Sequence, residues 1–421
     1  MFWHLADFAP PSEDGDAVPW RWRSLARPAG LEGIDLIPVV RVHPSAAFFE
    51  KVNGDSGGQW FFGDEEVEGF ANWQAFTEVQ LDFDCPTRLL KDYADFVRQM
   101  KARSPEQKIS ITALASWIDH ADFVSLATGV DTVYPMFYDL EVDRAEEVRR
   151  GRWHALADPL GHAHWLEKWA ACPVPWVAGL PNFSRVSVFA SDGRLQGHLK
   201  SWNWDELVFH PDLQVDAGDA PAAGVLALVV VRATRLADVA LEAGDRVVLR
   251  RPDLSVLREL HDQAFARGAS GVCWFRLPGP GDQGGWSLAQ IATGAEPVMQ
   301  LTRLSDGRLQ LVNSGGGDLP PRFRGRDGPD DRGWKLEVEV PVAGGIVSGS
   351  PGQFVRMAAH ADPDTEGAAR VHPTEARRLT FWFSQLAAGV TLNTGVIASS
   401  NEPEAGRMRW RVDRSEWSLL P

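Results

Sequence analysis

The sequence predicts an α/β fold, a (β/α)8 barrel of the TIM type followed by an all-β sandwich, and three observations carry that prediction. Before residue 295, short apolar, β-branched runs alternate with amphipathic helical stretches. The runs lack the polar alternation of a half-exposed strand, which is the habit of parallel strands buried on both faces. Near Gly294–Pro297 the helical periodicity stops, and short strand-like runs between Gly- and Pro-rich turns replace it. Domains are therefore expected at 1–294, the barrel, and at 295–421, an accessory sandwich.

The strand-like runs are Leu36–Val42, Val79–Phe83, Ile109–Leu114, Val130–Phe137, Val174–Leu180, Val225–Arg232 and Gly271–Leu277. Between them, Thr87–Arg103 places Leu89, Leu90, Tyr93, Phe96, Val97 and Met100 on one helical face, with Thr87 as a cap. Leu254–Arg267 does the same with Leu257, Leu260, His261 and Phe265. This many units before residue 295 favour a closed barrel over an open sheet. No G-x-G-x-x-G follows the first strand, so a dinucleotide fold is disfavoured, and the glycine-rich Gly279–Gly285 reads as a loop. Beyond the boundary, strands are expected at Val298–Leu304, Arg308–Asn313, Lys335–Val340, Gln353–Ala358, Leu379–Phe383, Val390–Ile397 and Met408–Val412.

The 421 residues carry a net charge of −15, which argues against nucleic acid and anionic membranes as partners. No apolar run approaches a membrane span. The opening MFWHLADFAP lacks the basic and apolar regions of a signal peptide, so the chain stays inside the cell or has lost a leader to the periplasm or exterior. The three cysteines, Cys85, Cys172 and Cys273, follow neither a disulfide nor a metal spacing. His162-Ala163-His164 has two metal-like ligands and no third, Asp362–Glu366 resembles a calcium loop only by acidity, and Asp64–Glu66 reads as a solvated loop. No cofactor and no metal are expected. Tryptophan is abundant, 18 against 3 tyrosines, and its flat indole suits the apolar face of a sugar ring. Trp202-Asn203-Trp204-Asp205-Glu206 either lines a subsite or packs an insert.

Chemistry concentrates in TEVQLDFDCP, residues 77–86. A strand that ends in Asp82 and Asp84 projects both acids to one side, and in a barrel the C-terminal strand ends hold the active site. Two close carboxyls cannot both ionise freely, so one pKa should rise, giving a proton donor beside an anion. That division suits glycosidic bond cleavage; either acid could instead cap the following helix or pair with an arginine.

TEVQLDFD resembles the signature strand of chitinase-like glycoside hydrolases, DGxDxDxE. Met136-Phe137-Tyr138-Asp139 is similar to that family's M-x-Y-D, Gly179–Phe183 to its G-x-P-x-Y/F, and Gly271–Trp274 to its last strand. The resemblance spans roughly residues 75–280, with Thr77 and Gln80 in place of the first two acids and Asp84 in place of the catalytic Glu. QLDFDCPTRLLKDY is also similar to a bacterial family of unknown function. The chitinase-like resemblance implies Asp84 as general acid and Asp82 as the group that orients the substrate's own 2-acetamido oxygen. It implies Tyr138 as a hydrogen-bond donor to that group, Asp139 as its helper and Trp274 as the sugar-pocket floor. Tyr134, Trp117, Gln80 and Asn182 complete the expected oligo- or polysaccharide site. A lectin-like barrel without catalysis, or a scaffold, remains the alternative.

Overall fold

The computed structural model describes residues 1–9, 21–24, 33–42, 45–54, 76–216, 223–278, 284–323, 332–339, 346–361, 376–399 and 408–420. Asp64–Glu66, Asp362–Glu366 and most of Gly279–Gly285 lie outside the described residues. The chain divides into two compact units. One comprises Met1–Glu141, Leu156–Pro181 and Asp253–Phe275; the other comprises Val142–Ala155, Asn182–Pro252 and Arg276–Pro421.

The first unit is built on β1 (Phe2–Ala9), β2 (Arg21–Ser24), β3 (Ile37–Val42), β4 (Glu78–Phe83), β5 (Lys108–Leu114), β6 (Thr132–Met136), β7 (Val177–Pro181) and the strand Gly271–Phe275. Their order across the sheet is Gly271–Phe275, β7, β6, β5, β4, β3, β1, β2. All neighbours run parallel except β2, which returns antiparallel to β1. The sheet curls: the rings of Phe2 on β1 and Tyr134 on β6 meet edge to face at 4.9 Å although three strands separate them. Among the described residues no ladder joins the sheet's two ends, and seven strands rather than eight are parallel.

The convex face is a belt of aromatic rings under the helices. Phe83 stacks on Tyr93 at 4.7 Å, Tyr93 meets Trp117, and Phe137 meets Trp169 and Trp176. The helix Leu90–Arg103 buries Leu90, Tyr93, Phe96, Val97 and Met100 there, as its spacing predicts. Thr87 does not cap it: a 3-10 turn over Thr87–Leu89 precedes the helix, which starts without a side-chain cap. The helix Leu254–Ala266 buries Leu257 and Leu260 and is capped by Asp253, while Phe265 lies exposed.

The second unit holds separate antiparallel sheets. Val225–Val230, expected as a parallel strand, pairs antiparallel with Arg246–Arg250 and Leu213–Val215 in a five-stranded sheet. It reads as a doubly buried run because both faces are covered: Leu228 and Val230 join one apolar cluster, Val225 and Ala227 another. Trp204 is buried in the first of these with Trp202 against it, so the tryptophans of the insert pack it. Met299–Arg303, Leu309–Asn313 and Thr391–Asn393 form a three-stranded sheet. Arg356–His360, Arg378–Phe383, Trp334–Glu339, Arg409–Val412 and Ser418–Leu419 form a five-stranded one. Leu301, Leu309 and Leu311 of the former share one apolar core with Leu336, Leu379 and Phe381 of the latter. No helix among the described residues is long and apolar enough to cross a membrane.

Candidate functional site

Strand β4 sorts its side chains by parity. Val79, Leu81 and Phe83 are buried toward the helices, and Glu78, Gln80 and Asp82 take the opposite, concave face. Asp82 lies in register with Arg41 of β3, and its Oδ1 accepts a hydrogen bond from Thr112 Oγ1 of β5 at 2.7 Å. Asp84 follows the strand and is more open, its side chain 55% exposed against 30% for Asp82. Arg41 spans the pair, Nε 4.0 Å from Asp82 and Nη2 3.7 Å from Asp84. Burial holds the Asp82 carboxyl above the usual carboxylate range and the charge of Asp84 adds to it, against the Thr112 hydrogen bond, Arg41 and His4. The rise at Asp82 therefore comes first from burial, and the neighbouring acid, the cause expected from the sequence, is the lesser one. Cys85, next in the chain, is fully buried and its thiol is pushed up to about 12, mainly by desolvation, which leaves it inert.

The chain leaving β6 brings the second half of the site. Tyr138 stacks on Phe275 with ring centres 5.6 Å apart and planes within 14°. Burial raises its phenol pKa first, and the charges of Asp82, Cys273, Asp84 and Asp139 raise it further, so Tyr138 remains an O–H donor and stands within electrostatic reach of all three acids. Asp139 takes a left-handed backbone, φ 55°, a conformation that aspartate tolerates better than most residues. Tyr134 faces the same concavity, its pKa raised by burial and then by Glu78 and Cys273.

Three expected ligand contacts are placed elsewhere, and a fourth, Gln80, is buried in place. Trp274 is register partner to Leu180, whereas Cys273 pairs with Gly179, Gly179 with Met136, and Met136 with Leu114, which shares the parity of Thr112. Trp274 therefore occupies the convex parity, and a single-residue offset gives the concave position to Phe275. Trp117 is 0% exposed within the aromatic belt, packed between Tyr93 and Phe123, and offers no surface to a sugar. Asn182 belongs to the second unit and its amide is spent: Nδ2 donates to the carbonyls of Arg276 and Trp286, and Oδ1 accepts from the Trp286 N–H. Gln80 is 5% exposed and lies beneath Asp82, closed to a ligand. Its Nε2 has no hydrogen-bond partner among the described residues, nor do Glu78 Oε1 and Ser110 Oγ on neighbouring positions.

Sequence reasoning missed Arg41, Thr112 and Phe275. Arg41 was signalled as the lone charge near the end of an apolar strand, IPVVRV, and Phe275 by its two-residue step from Cys273. His162 is buried, with Nε2 on the Phe137 carbonyl, while His164 is exposed, so the two do not converge. Among the described residues no group of His, Cys, Asp and Glu side chains could hold a metal ion.

Residues 64–203 match a family model described as Domain of unknown function (DUF3142). No curated protein matches the chain. Among solved structures, the chain is similar to the C-terminal domain of a protein assigned as a chitinase in Desulfitobacterium hafniense DCB-2, at 14% identity and TM-score 0.41, covering 58% of this chain and 73% of that one. It is similar to a chitinase from Cycas revoluta in complex with (GlcNAc)3, at 14% identity and TM-score 0.38, over 65% and 86% of the respective chains. It is also similar to a chitinase from Bacillus thuringiensis, at 14% identity and TM-score 0.35, over 89% and 80%.

Proposed function

We propose that the chain is a glycoside hydrolase-like protein that cleaves a glycosidic bond by acid catalysis, acting on an N-acetylhexosamine-containing glycan. The observation that carries this reading is the acid pair. One carboxyl is recessed and pushed toward its protonated form, the other is open, and a guanidinium spans both. A carboxyl that takes up a proton more readily than an ordinary carboxylate, beside an accessible one, suits general acid cleavage of an acetal. The signature-like strand of the sequence supports the same reading.

In this mechanism the singly protonated pair reacts, with its proton on Asp82. As a glycan displaces water from Asp84, the proton passes to Asp84 and from there to the departing glycosidic oxygen, whose bond to the anomeric carbon breaks. The substrate's 2-acetamido oxygen bonds to that carbon, steadied by the Tyr138 hydroxyl and by Asp82. Water, losing a proton to Asp84, then opens the ring so formed. Phe275, 51% exposed and stacked on Tyr138, supplies an apolar platform for a sugar face. The same proposal takes the curled parallel sheet as a (β/α)8 barrel and the sheets of residues 299–419 as a β-sandwich.

A second reading, a lectin-like protein without turnover, is favoured by one observation: Asp84 is one methylene shorter than the Glu of the chitinase-like signature. A panel of aryl glycosides and N-acetylhexosamine oligosaccharides, with Asp84→Asn as control, separates the readings. The hydrolase should lose turnover at least about a hundredfold in Asp84→Asn while still binding ligand. Wild-type binding without turnover supports the lectin, and neither binding nor turnover leaves a scaffold.

A further inference from the structure

We propose that His162 is a positioning residue for the candidate site: a neutral imidazole held in one tautomer, it fixes the Phe137 carbonyl and thereby sets where Tyr138 stands against the acid pair. His162 lies on the helix Pro159–Trp169 and is 4% exposed. Its two ring nitrogens meet partners of opposite kind. The Asp158 N–H donates to Nδ1 at 3.3 Å, and Nε2 lies 2.9 Å from the Phe137 carbonyl oxygen, which can only accept. Nδ1 must therefore present its lone pair and Nε2 must carry the hydrogen.

The carbonyl that His162 holds belongs to the peptide unit leading into Tyr138. Because that unit is planar, fixing its oxygen fixes the direction in which the chain enters Tyr138. The rest of Phe137 is pinned as well. Its ring sits between Trp169 and Trp176, and its N–H donates to the Gly179 carbonyl at 2.8 Å. Rotation about the bond before this carbonyl is the freedom left, and the imidazole removes it. Immediately beyond, the backbone turns through the left-handed Asp139.

The groups facing the imidazole define its ionisation. Burial pushes His162 below the usual histidine range, and the opposing influences are the Phe137 carbonyl, Asp158, which caps the same helix, and Glu141. The shift is downward, so the imidazole stays neutral through neutral pH, and a proton gained below the ordinary histidine value of 6.5 would leave the Nε2–H bond to Phe137 in place. A second proton would sit on Nδ1, against the Asp158 N–H.

The catalytic consequence rests on the function proposed above; the tether does not, and the test keeps them apart. The chain has three tyrosines, so ring-13C tyrosine labelling of the full chain yields three signals. His162→Asn keeps an acceptor near the Nδ1 position and removes the Nε2 donor, while His162→Gln keeps a donor near Nε2. The expected result is a displaced Tyr138 signal in His162→Asn, with Tyr93 and Tyr134 unmoved, and a near wild-type Tyr138 signal in His162→Gln. On an active substrate, His162→Asn should lower kcat by on the order of tenfold, with KM changing less, and His162→Gln should restore it. A folded His162→Asn whose Tyr138 signal stays in place, or a His162→Gln that moves it equally, overturns the proposal. Should His162→Asn not fold, His162→Leu, which fills the same buried site without a donor, decides: a Tyr138 signal displaced alone supports the tether, and one that stays in place overturns it. A confirmed tether in a chain that hydrolyses nothing counts against the proposed function alone.

Discussion

Two sets of buried polar groups, one in each unit, are satisfied to different degrees. In the second unit, Arg250 is 4% exposed and its side chain is fully engaged. Nε donates to the His154 carbonyl, Nη1 to Ser187 Oγ and Nη2 to Asp143. On the concave face of the first unit, Gln80 Nε2, Glu78 Oε1 and Ser110 Oγ have no hydrogen-bond partner among the described residues. Arg41 stands 3.7–4.0 Å from its carboxylates, beyond hydrogen-bond length. Buried polar groups cost free energy when unpaired, so a saturated network braces a fold and an unsaturated one contributes less to it. The contrast sets a saturated network against a row of unpartnered atoms, and it can be broken by experiment.

The largest effect is expected at Arg250. Replacement by Met leaves Asp143 without its cation and should cost about 3–5 kcal/mol, read as a lowered urea midpoint. A loss under about 1 kcal/mol, the size of a surface pair, would mean that the network braces nothing. Asp82 should behave in the opposite direction. Its folded pKa is raised, so the stability linked to its proton is fully present below the ordinary carboxyl value of 3.8 and is lost as pH rises through the folded value. Asp82→Asn removes that loss while keeping an oxygen for Thr112. The variant should therefore be more stable than wild type at pH 7, with the gain vanishing on acidification to the ordinary value. Paired denaturation curves across pH check this, and a variant less stable at neutral pH would show Asp82 to be a structural anion. The smallest change is expected for Gln80→Leu, which deletes an amide whose nitrogen has no partner and should shift stability by less than about 1 kcal/mol. A penalty near that of Arg250→Met would show the concave row to be as structural as its counterpart.

What the sequence discloses follows the same division. Apolar runs announce themselves, so β3 to β7 and Leu90–Arg103 lie close to where periodicity puts them. Strand β1 escaped because FWHLADFA mixes charge into an otherwise apolar run. Val225–Val230 was legible as a buried strand and not as an antiparallel one, since composition reports burial and not direction. At the site, Asp82, Asp84, Tyr138 and Asp139 were readable as a group, and the structure places the three acids within electrostatic reach of Tyr138. Parity was not readable: nothing local in GVCWFRL says which side of the strand is concave, and the choice fell on Trp274, whereas Phe275 takes the concave parity and stacks on Tyr138. Cross-strand partners such as Arg41 and Thr112 depend on register, which only the assembled sheet supplies.

The division into compact units has a practical corollary for anyone cutting this gene. The chain passes between them after Glu141, Ala155, Pro181, Pro252 and Phe275, so neither is a continuous stretch of polypeptide. Strand Gly271–Phe275 can zip onto β7 only once everything from 182 to 270 has been spun out and closed into a loop. Shortened versions ending at any one point would lack pieces of one or both bodies, and so would a deletion of 182–252, which carries the strands Arg185–Phe189, Val225–Val230 and Arg246–Arg250 of the second unit.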